Sequence, residues 1–407
     1  MRRVVVTGMG IISCIGNNKS EVTESLKVGR SGITFDKKQA ELGFRSCVSG
    51  RPTADPKKHV HKRTYRFMGE AAGWAAMAMD EALGDAGLSA DEVSDPRIGI
   101  IAGSGGPSAL EIVRAADILR AQGSPKRIGP FAVPKAMSST ISATLATHYQ
   151  IKGVNYSITS ACTTSLHCIG AAAEQIQWGK QDMMFAGGGE ELEWPLTSLF
   201  DAMGAISSKH NEVPETASRA FDVNRDGFVI AGGAGMVVLE EYERAVARGA
   251  KIYAEIVGYG STSDGYDMVA PSGEGGERAM RMAMKEAADN GVSDIDFINP
   301  HMTSTPVGDA AESASIHSIW GETGPMVSAT KSMTGHSLGG AGVQEAIYSL
   351  LMMEHGFIAP SINIFELDPG IPPINIVTET REAGVKAFMS NSFGFGGTNG
   401  SVVFSKV

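Results

Sequence analysis

Four residues of this sequence have the types and settings that covalent chemistry requires: Cys162, His301, Lys331 and His336. Cys162 stands in YSITSACTTSLHCIGAA, where a β-branched run ends, small polar residues turn the chain and a helical pattern begins near Thr163. A cysteine at a helix N-terminus faces unpaired N–H groups and the positive end of the dipole, which favour the thiolate and lower its pKa. The same N–H groups can hold a developing oxyanion. Cys168, within the helix, reads as core. His301 follows a strand-like run, Asp296 to Asn299, in NPHMTSTPVGDAAES, and Lys331 and His336 share a glycine-rich corner, SATKSMTGHSLGGAG. A lone histidine is more often structural. Two histidines, a lysine and a cysteine, all at the C-terminal ends of strands, stand where α/β proteins gather their sites.

The elements that must position these residues alternate along the chain. Val4 to Thr7, Ile98 to Ala102, Asn155 to Thr159, Met183 to Ala186 and Ala234 to Glu240 read as strands. Phe67 to Ala86, stopped by Gly87, and Thr163 to Trp178 read as helices. The alternation predicts an α/β protein with buried sheets. An echo runs through it at long range. KIYAEIVGYGS (251–261) resembles the opening strand and glycine turn, Arg2 to Gly10, and the Cys162 stretch has a counterpart in residues 326–342. Two similar halves follow, 1–250 with the cysteine and 251–407 with the histidines. NSFGFGGTN (391–399) alternates Phe and Gly too regularly for a core strand, and its glycines allow close approach to another site.

Composition narrows the classes. With 43% hydrophobic and 20% charged residues over 407 positions, the chain reads as an ordinary soluble protein with room for a fused double core. A net charge of −10 argues against nucleic acid as a partner. Four cysteines without a CxxC pair make no disulfide framework and suggest a reducing cytoplasm. Arg2 and Arg3 hint at a signal region, but the apolar run after them is too short, and no run approaches a membrane span. Three patterns mislead. GMGIIS (8–13) lacks the third glycine of a dinucleotide fingerprint. Asp222, Asn224, Asp226 and Gly227 start like a calcium loop, but Gly233 stands where a bidentate Glu is needed. His59 and His61 lack partners at zinc spacing. No metal or cofactor is expected. The basic run Lys57, Lys58, His59, His61, Lys62, Arg63, Arg66, with Lys126 and Arg127 beyond it, is by default a solvated surface.

Taken together, these segments resemble the β-ketoacyl-acyl carrier protein synthases of the thiolase superfamily, from Val4 to Phe404, with the type I synthases most similar. HYQIKGVNYSITSACTTSLHCIG, AGGGEELEW and HSLGGAGVQEAIYSLL carry the likeness. The resemblance implies a thiolase-like αβαβα fold of five layers built from two duplicated halves. It implies Cys162 as the nucleophile that takes an acyl chain as a thioester, with His301 and His336 assisting malonyl decarboxylation. Lys331 matches the family's lysine and Glu312 its acidic partner. The N–H groups of Cys162 and Phe395 match the oxyanion hole, and Thr303 and Thr305 the threonines on the phosphopantetheine arm. Phe393 and Phe395 fall on the loop that gates the acyl pocket. Because acyl carrier protein is acidic, Lys62, Arg63, Arg66, Lys126 and Arg127 become docking residues. The family also implies a homodimer pairing through Asn155 to Thr159, with Met137 and Ser138 as candidate pocket lining. One departure stands out: the family's usual glycine after the first histidine is Met302 here.

Within that resemblance a type II synthase of different chain-length preference shares the same set. A degradative thiolase would carry a second cysteine in a Cys-x-Gly turn near the C-terminus, where this chain has NSFGFGGTN. A non-condensing partner subunit usually lacks the nucleophilic cysteine, and Cys162 is present.

Overall fold

The computed structural model describes residues 1–106 and 108–407. Ten strands form its main sheet: β1 (Val4–Ile12), β2 (Ile98–Gly103), β3 (Asn155–Tyr156), β4 (Met183–Glu190), β5 (Gly233–Glu241), β6 (Ala254–Ser263), β7 (Phe297–Asn299), β8 (Met326–Val327), β9 (Ala387–Gly394) and β10 (Thr398–Ser405). Their spatial order is β8-β7-β9-β10-β6-β1-β5-β4-β2-β3. At the centre β1 meets β6 through two residue pairs only, Val5 with Glu255 and Val6 with Ala254. By contrast β1 and β5 pair along their whole length, from Val4–Glu241 to Ile12–Ala234.

That thin seam separates two sets of five strands with the same path. From edge to centre the first runs β3-β2-β4-β5-β1 and the second β8-β7-β9-β10-β6. In each set the second strand is parallel to both neighbours and the last three are antiparallel. The echo of Arg2–Gly10 in Lys251–Ser261 is therefore β1 against β6. The echo of the Cys162 stretch in residues 326–342 is β3 and its following helix against β8 and its following helix. One structural unit, used twice, brings the cysteine and the second histidine to equivalent corners.

The longer helices of the described residues include α1 (Glu70–Ala86), α2 (Ala109–Gln122), α3 (Thr140–Tyr149), α4 (Thr164–Gln177), α5 (Glu274–Asp289), α6 (Pro306–Trp320) and α7 (Ala341–His355). α1 and α3 cover the outer face of the first set, α5 packs on the outer face of the second with α6 beside it, and α4 and α7 pack on each other between them. Enclosed on all sides, α7 is buried continuously from Ala341 to Met353, as a helix without a polar face must be. α5 instead buries Ala279, Met280, Ala283 and Ala287 and turns Arg278 and Arg281 outward, each paired to a glutamate one turn earlier. α1 is rich in alanine because β1 approaches so closely: a Cβ on Gly10 would come 2.0 Å from the Ala78 carbonyl oxygen. The glycines of GMGIIS thus serve helix-on-strand packing. α1 starts at Glu70 rather than Phe67, whose ring packs edge-on 5.1 Å from Phe131. Strand pairing predicted for Asn155 to Thr159 covers Asn155 and Tyr156 only, because the chain leaves the sheet there to build the Cys162 corner.

Candidate active site

The corner is held by its own hydroxyls. Ser160 N–H donates to Thr164 Oγ1 at 2.8 Å, and Thr164 Oγ1 donates to the Ala161 carbonyl at 2.8 Å. Thr163 Oγ1 reaches across to the carbonyls of Thr398 at 2.8 Å and Ser392 at 3.2 Å, tying the corner to the turn between β9 and β10. Ala161 takes φ +50, a left-handed conformation that costs a residue with a Cβ about 1–2 kcal/mol. It aims Cys162 into the cavity at the start of α4. The N–H groups of Cys162 and Phe395 both bear on the sulphur. The expectation of a lowered thiol pKa is overturned: burial pushes Cys162 up to about 12, although Lys331 and the two N–H groups pull the other way. Desolvation of the thiolate outweighs the helix terminus here.

His301 follows β7, and its position is fixed through the backbone. Glu312, on α6, accepts the N–H of His301 and that of Met302, each at 2.9 Å, and the side-chain amide of Asn391 at 3.1 Å. His336 lies between the short helix Lys331–Thr334 and α7. Its N–H donates to Val229 O at 2.8 Å and its carbonyl accepts Ala231 N–H at 3.0 Å. The two imidazoles meet edge-on with centroids 5.1 Å apart. His301 Nδ1 and both ring nitrogens of His336 are buried with no hydrogen-bond partner among the described residues, an arrangement that leaves polar atoms for a substrate to satisfy. Burial and the Lys331 charge hold both histidines well below the ordinary histidine range, so both rings are neutral. One donor atom from each of Cys162, His301 and His336 lies within 4.8 Å of the others.

Lys331 corrects a second expectation. Its Nζ donates to Glu345 Oε1 at 2.6 Å, and Glu345, on α7, is its ion-pair partner; the Glu312 carboxylate is engaged by the amides named above. Thiolate and imidazole are donors that zinc accepts. At this cluster, however, the Lys331 ammonium bears on all three groups, and its positive charge opposes a dication.

A cavity of about 380 Å³ opens on the cluster, with Phe200 and Phe228 on one side and Thr303, Thr305 and Phe393 on the other. The hydroxyls of Thr303 and Thr305 lie 3.1 Å apart. The Phe393 ring stands 6.0 Å from His301, and Phe395 6.4 Å from Phe200. Met302 is 1% exposed and joins an apolar cluster with Phe221, Ile298 and Met389, so its side chain is a core side chain at the cavity wall. Met137 and Ser138 do not line this cavity in the single chain; they follow the short helix Ala132–Ala136 at the surface. Lys62, Arg63, Arg66, Lys126 and Arg127 are all exposed. Arg66 stacks over Phe67 and Phe131 at 4.8 and 5.2 Å, which brings the two basic segments side by side. The Asp222 and Asp226 carboxylates accept backbone N–H groups from Asn224, Phe365, Glu366, Ser208 and Lys209, which accounts for the calcium-like spacing without an ion.

Comparison with known proteins decides the family. Residues 1–245 match the model of the beta-ketoacyl synthase N-terminal domain and residues 253–365 that of its C-terminal domain. This chain belongs to the β-ketoacyl synthase family. Among its relatives, 3-oxoacyl-[acyl-carrier-protein] synthase 1 of Haemophilus influenzae is 58% identical, the match covering 100% of this chain and 99% of that one. The enzyme of that name from Escherichia coli K12 is also 58% identical, over the full length of both. The crystal structure of a beta-ketoacyl synthase from Burkholderia phymatum superimposes with a TM-score of 0.94 at 36% identity, covering 100% of both chains. As a ketoacyl synthase the chain is an acyltransferase of the condensing type, on the thiolase-like fold.

Within this ketoacyl synthase the corners read from the sequence come together in space, and two buried carboxylates beside them escaped that reading. Glu345 sits in the apolar run AGVQEAIYSLL and Glu190 ends the apolar run MMFAGGGE. An acid placed inside such a run is the signal that could have found each, since a buried carboxylate must have partners.

Proposed function

We propose that this chain is a 3-oxoacyl-acyl carrier protein synthase that elongates fatty acids by decarboxylative condensation on Cys162. One observation carries the reading: a cysteine at a strained corner, two neutral imidazoles with unpartnered nitrogens and two converging N–H groups share one cavity. First, Cys162 sulphur attacks the carbonyl of an acyl-carrier thioester, whose oxygen takes negative charge between the N–H groups of Cys162 and Phe395. The carrier thiolate leaves with the proton that the thiol gave up, so charge balances and an acyl-enzyme remains. Malonyl-carrier then loses carbon dioxide. The enolate so formed is met by the neutral rings of His301 and His336, which accept no proton and can donate hydrogen bonds as its charge develops. Its carbon attacks the acyl thioester, and the expelled Cys162 thiolate takes from solvent the one proton that decarboxylative condensation consumes. Lys331, Glu345 and Glu312 organise the site, and Thr303 and Thr305 hold the pantetheine arm. Phe393 and Phe395 stand at the turn that admits the acyl chain.

The partner reading has independent support. Relatives are named as synthases that act with acyl carrier protein, and the exposed cluster Lys62, Arg63, Arg66, Lys126 and Arg127 suits an acidic carrier. A homodimer is supported by the exposed edge strand β3 and by α2, a helix that buries none of its residues although it carries Ile112 and Leu119. The chain divides functionally at about residue 250, where the second copy of the fold begins. A cytoplasmic setting suits four free cysteines, and no helix among the described residues is long and apolar enough to cross a membrane.

The test is incubation with acyl-acyl carrier protein and malonyl-acyl carrier protein, weighing the carrier-bound product by mass spectrometry. A 3-ketoacyl product two carbons longer, absent with Cys162→Ala, supports the reading. An acyl adduct on Cys162 without elongation leaves a partial enzyme, and neither adduct nor product favours a binding subunit.

A further inference from the structure

Three residues with a Cβ adopt positive φ beside the three reacting side chains: Ala161 at +50 before Cys162, Ser304 at +69 after His301, and Leu338 at +47 after His336. Strained backbone of this kind persists only where surrounding contacts over-determine it. Leu338 precedes Gly339, whose N–H donates to the buried carboxylate of Glu190, and the Ala161 carbonyl abuts Gly105, whose N–H donates there too; the proposed condensation has no use for that carboxylate. Glu190 closes β4, is fully buried, and has no basic side chain among its hydrogen-bond partners. Its donors come from two loops. Ser104 Oγ at 2.6 Å and the N–H groups of Gly105 at 2.7 Å and Gly106 at 3.3 Å belong to the loop after β2. The N–H of Gly339 at 3.0 Å belongs to the loop that carries His336.

The loops themselves touch at this point. A Cβ on Gly339 would lie 2.1 Å from Gly105 N, and a Cβ on Gly105 would lie 2.7 Å from Glu190 Oε2 and 3.3 Å from the Ala161 carbonyl oxygen. Glycine at both positions lets one carboxylate, both loops and the residue before Cys162 meet. A buried carboxylate without a counter-ion is costly, and an apolar side chain could fill the space without that cost.

We propose that Glu190 is the positioning residue that fixes the Cys162 corner and the His336 loop relative to one another, so that thiol and imidazole face the same substrate. It acts through those loops and touches no reacting atom. The inference rests on the condensation chemistry proposed above. Glu190 also bears on the thiol electrically: of the charged groups that reach Cys162, Lys331 lowers its pKa and Glu190 raises it. The neighbouring Glu191 is also coupled to Glu190.

Glu190→Gln tests this. Glutamine keeps the shape, removes the charge, and turns an NH2 group toward N–H groups that need an acceptor. In the positioning role kcat falls about tenfold to a hundredfold while KM stays within about twofold, and iodoacetamide alkylation of Cys162 moves to lower pH. A space-filling role would leave both unchanged, and wild-type kcat with a wild-type alkylation curve overturns the proposal. Wild-type protein that fails to condense would remove the functional reading instead, and the alkylation curve would still decide for or against Glu190. If Glu190→Gln does not fold, Ser104→Ala removes one donor and keeps the charge. A kcat lowered about threefold to tenfold at constant KM then supports the role, and an unchanged kcat overturns it.

Discussion

Lys331 Nζ lies 2.6 Å from Glu345 Oε1, with each side chain only 2% exposed. The pair sits behind the cavity wall, and the ammonium reaches Cys162, His301 and His336 at once, lowering the pKa of all three. Burial keeps the two imidazoles neutral, and this one positive charge adds to it while easing a thiol that burial opposes.

Lys331→Met removes that charge and strands Glu345. Iodoacetamide alkylation of Cys162 is expected to be slower than in the wild type throughout the accessible pH range. Breaking a buried pair costs about 3–5 kcal/mol, less whatever Glu345 recovers by taking up a proton. Lys331→Met with Glu345→Gln should restore most of the stability and none of the alkylation rate. Urea unfolding checks the first part: equal losses in the single and double variants would contradict a coupled pair.

In the condensation proposed above, the imidazoles set the acid limit. Both are held well below the usual histidine value by burial and Lys331. They therefore stay neutral as pH falls through about 6.5, where an ordinary histidine would charge. Malonyl decarboxylation should then be flat between about pH 8 and pH 6, and His336→Asn should lower it about a hundredfold or more. A limb in the wild-type rate centred near the ordinary histidine value would show that one ring titrates freely.

The proposed docking of an acidic carrier has its own test. Arg66 is held over Phe67 and Phe131, and Lys62 stands exposed beside it. Charge reversal at both is expected to raise KM for carrier-linked substrates about tenfold or more at low salt, with the penalty shrinking as salt screens the field. Small pantetheine thioesters should be turned over as before. Equal slowing of both substrate classes would mean that the residues support the fold rather than the carrier.

What the sequence made legible follows from local rules. Strand-to-helix corners announce themselves through β-branched runs, small polar residues and glycines, so Cys162, His301, Lys331 and His336 were visible and do meet. The repeat was visible for the same reason, since β1 with β6 and the two corners keep their local pattern. What stayed hidden depends on contacts far apart in the chain. Lys331 finds Glu345 across one turn of the path and α7, while Glu312 spends its oxygens on amides near His301, which no spacing rule distinguishes. The thiol pKa went the wrong way because a helix N-terminus can be seen in sequence whereas burial cannot. Met302 likewise reads as an intrusion beside His301 until the fold turns its side chain into the core.

Stability should carry the signature of the buried acids. Glu191 is 4% exposed, and burial, with Glu190 and Glu193 nearby, raises its pKa to about 7 from 4.5, against the pull of Ser108 and the Leu110 N–H. Because the folded state holds this proton more tightly than the unfolded chain, the contribution is fully present below about pH 4.5 and is lost as pH rises through about 7. The change is worth on the order of 3 kcal/mol. Glu190, Asp309 and Glu345 are raised in the same direction, so the wild type should lose stability on passing from about pH 5 to about pH 8. Glu191→Gln cannot titrate, and its unfolding free energy should fall less over that interval, by roughly the same 3 kcal/mol. Urea midpoints at the two pH values, compared with those of the wild type, check it. Parallel curves for the two proteins would mean that Glu191 stays ionised in the folded state and that the pull of Ser108 and the Leu110 N–H outweighs its burial.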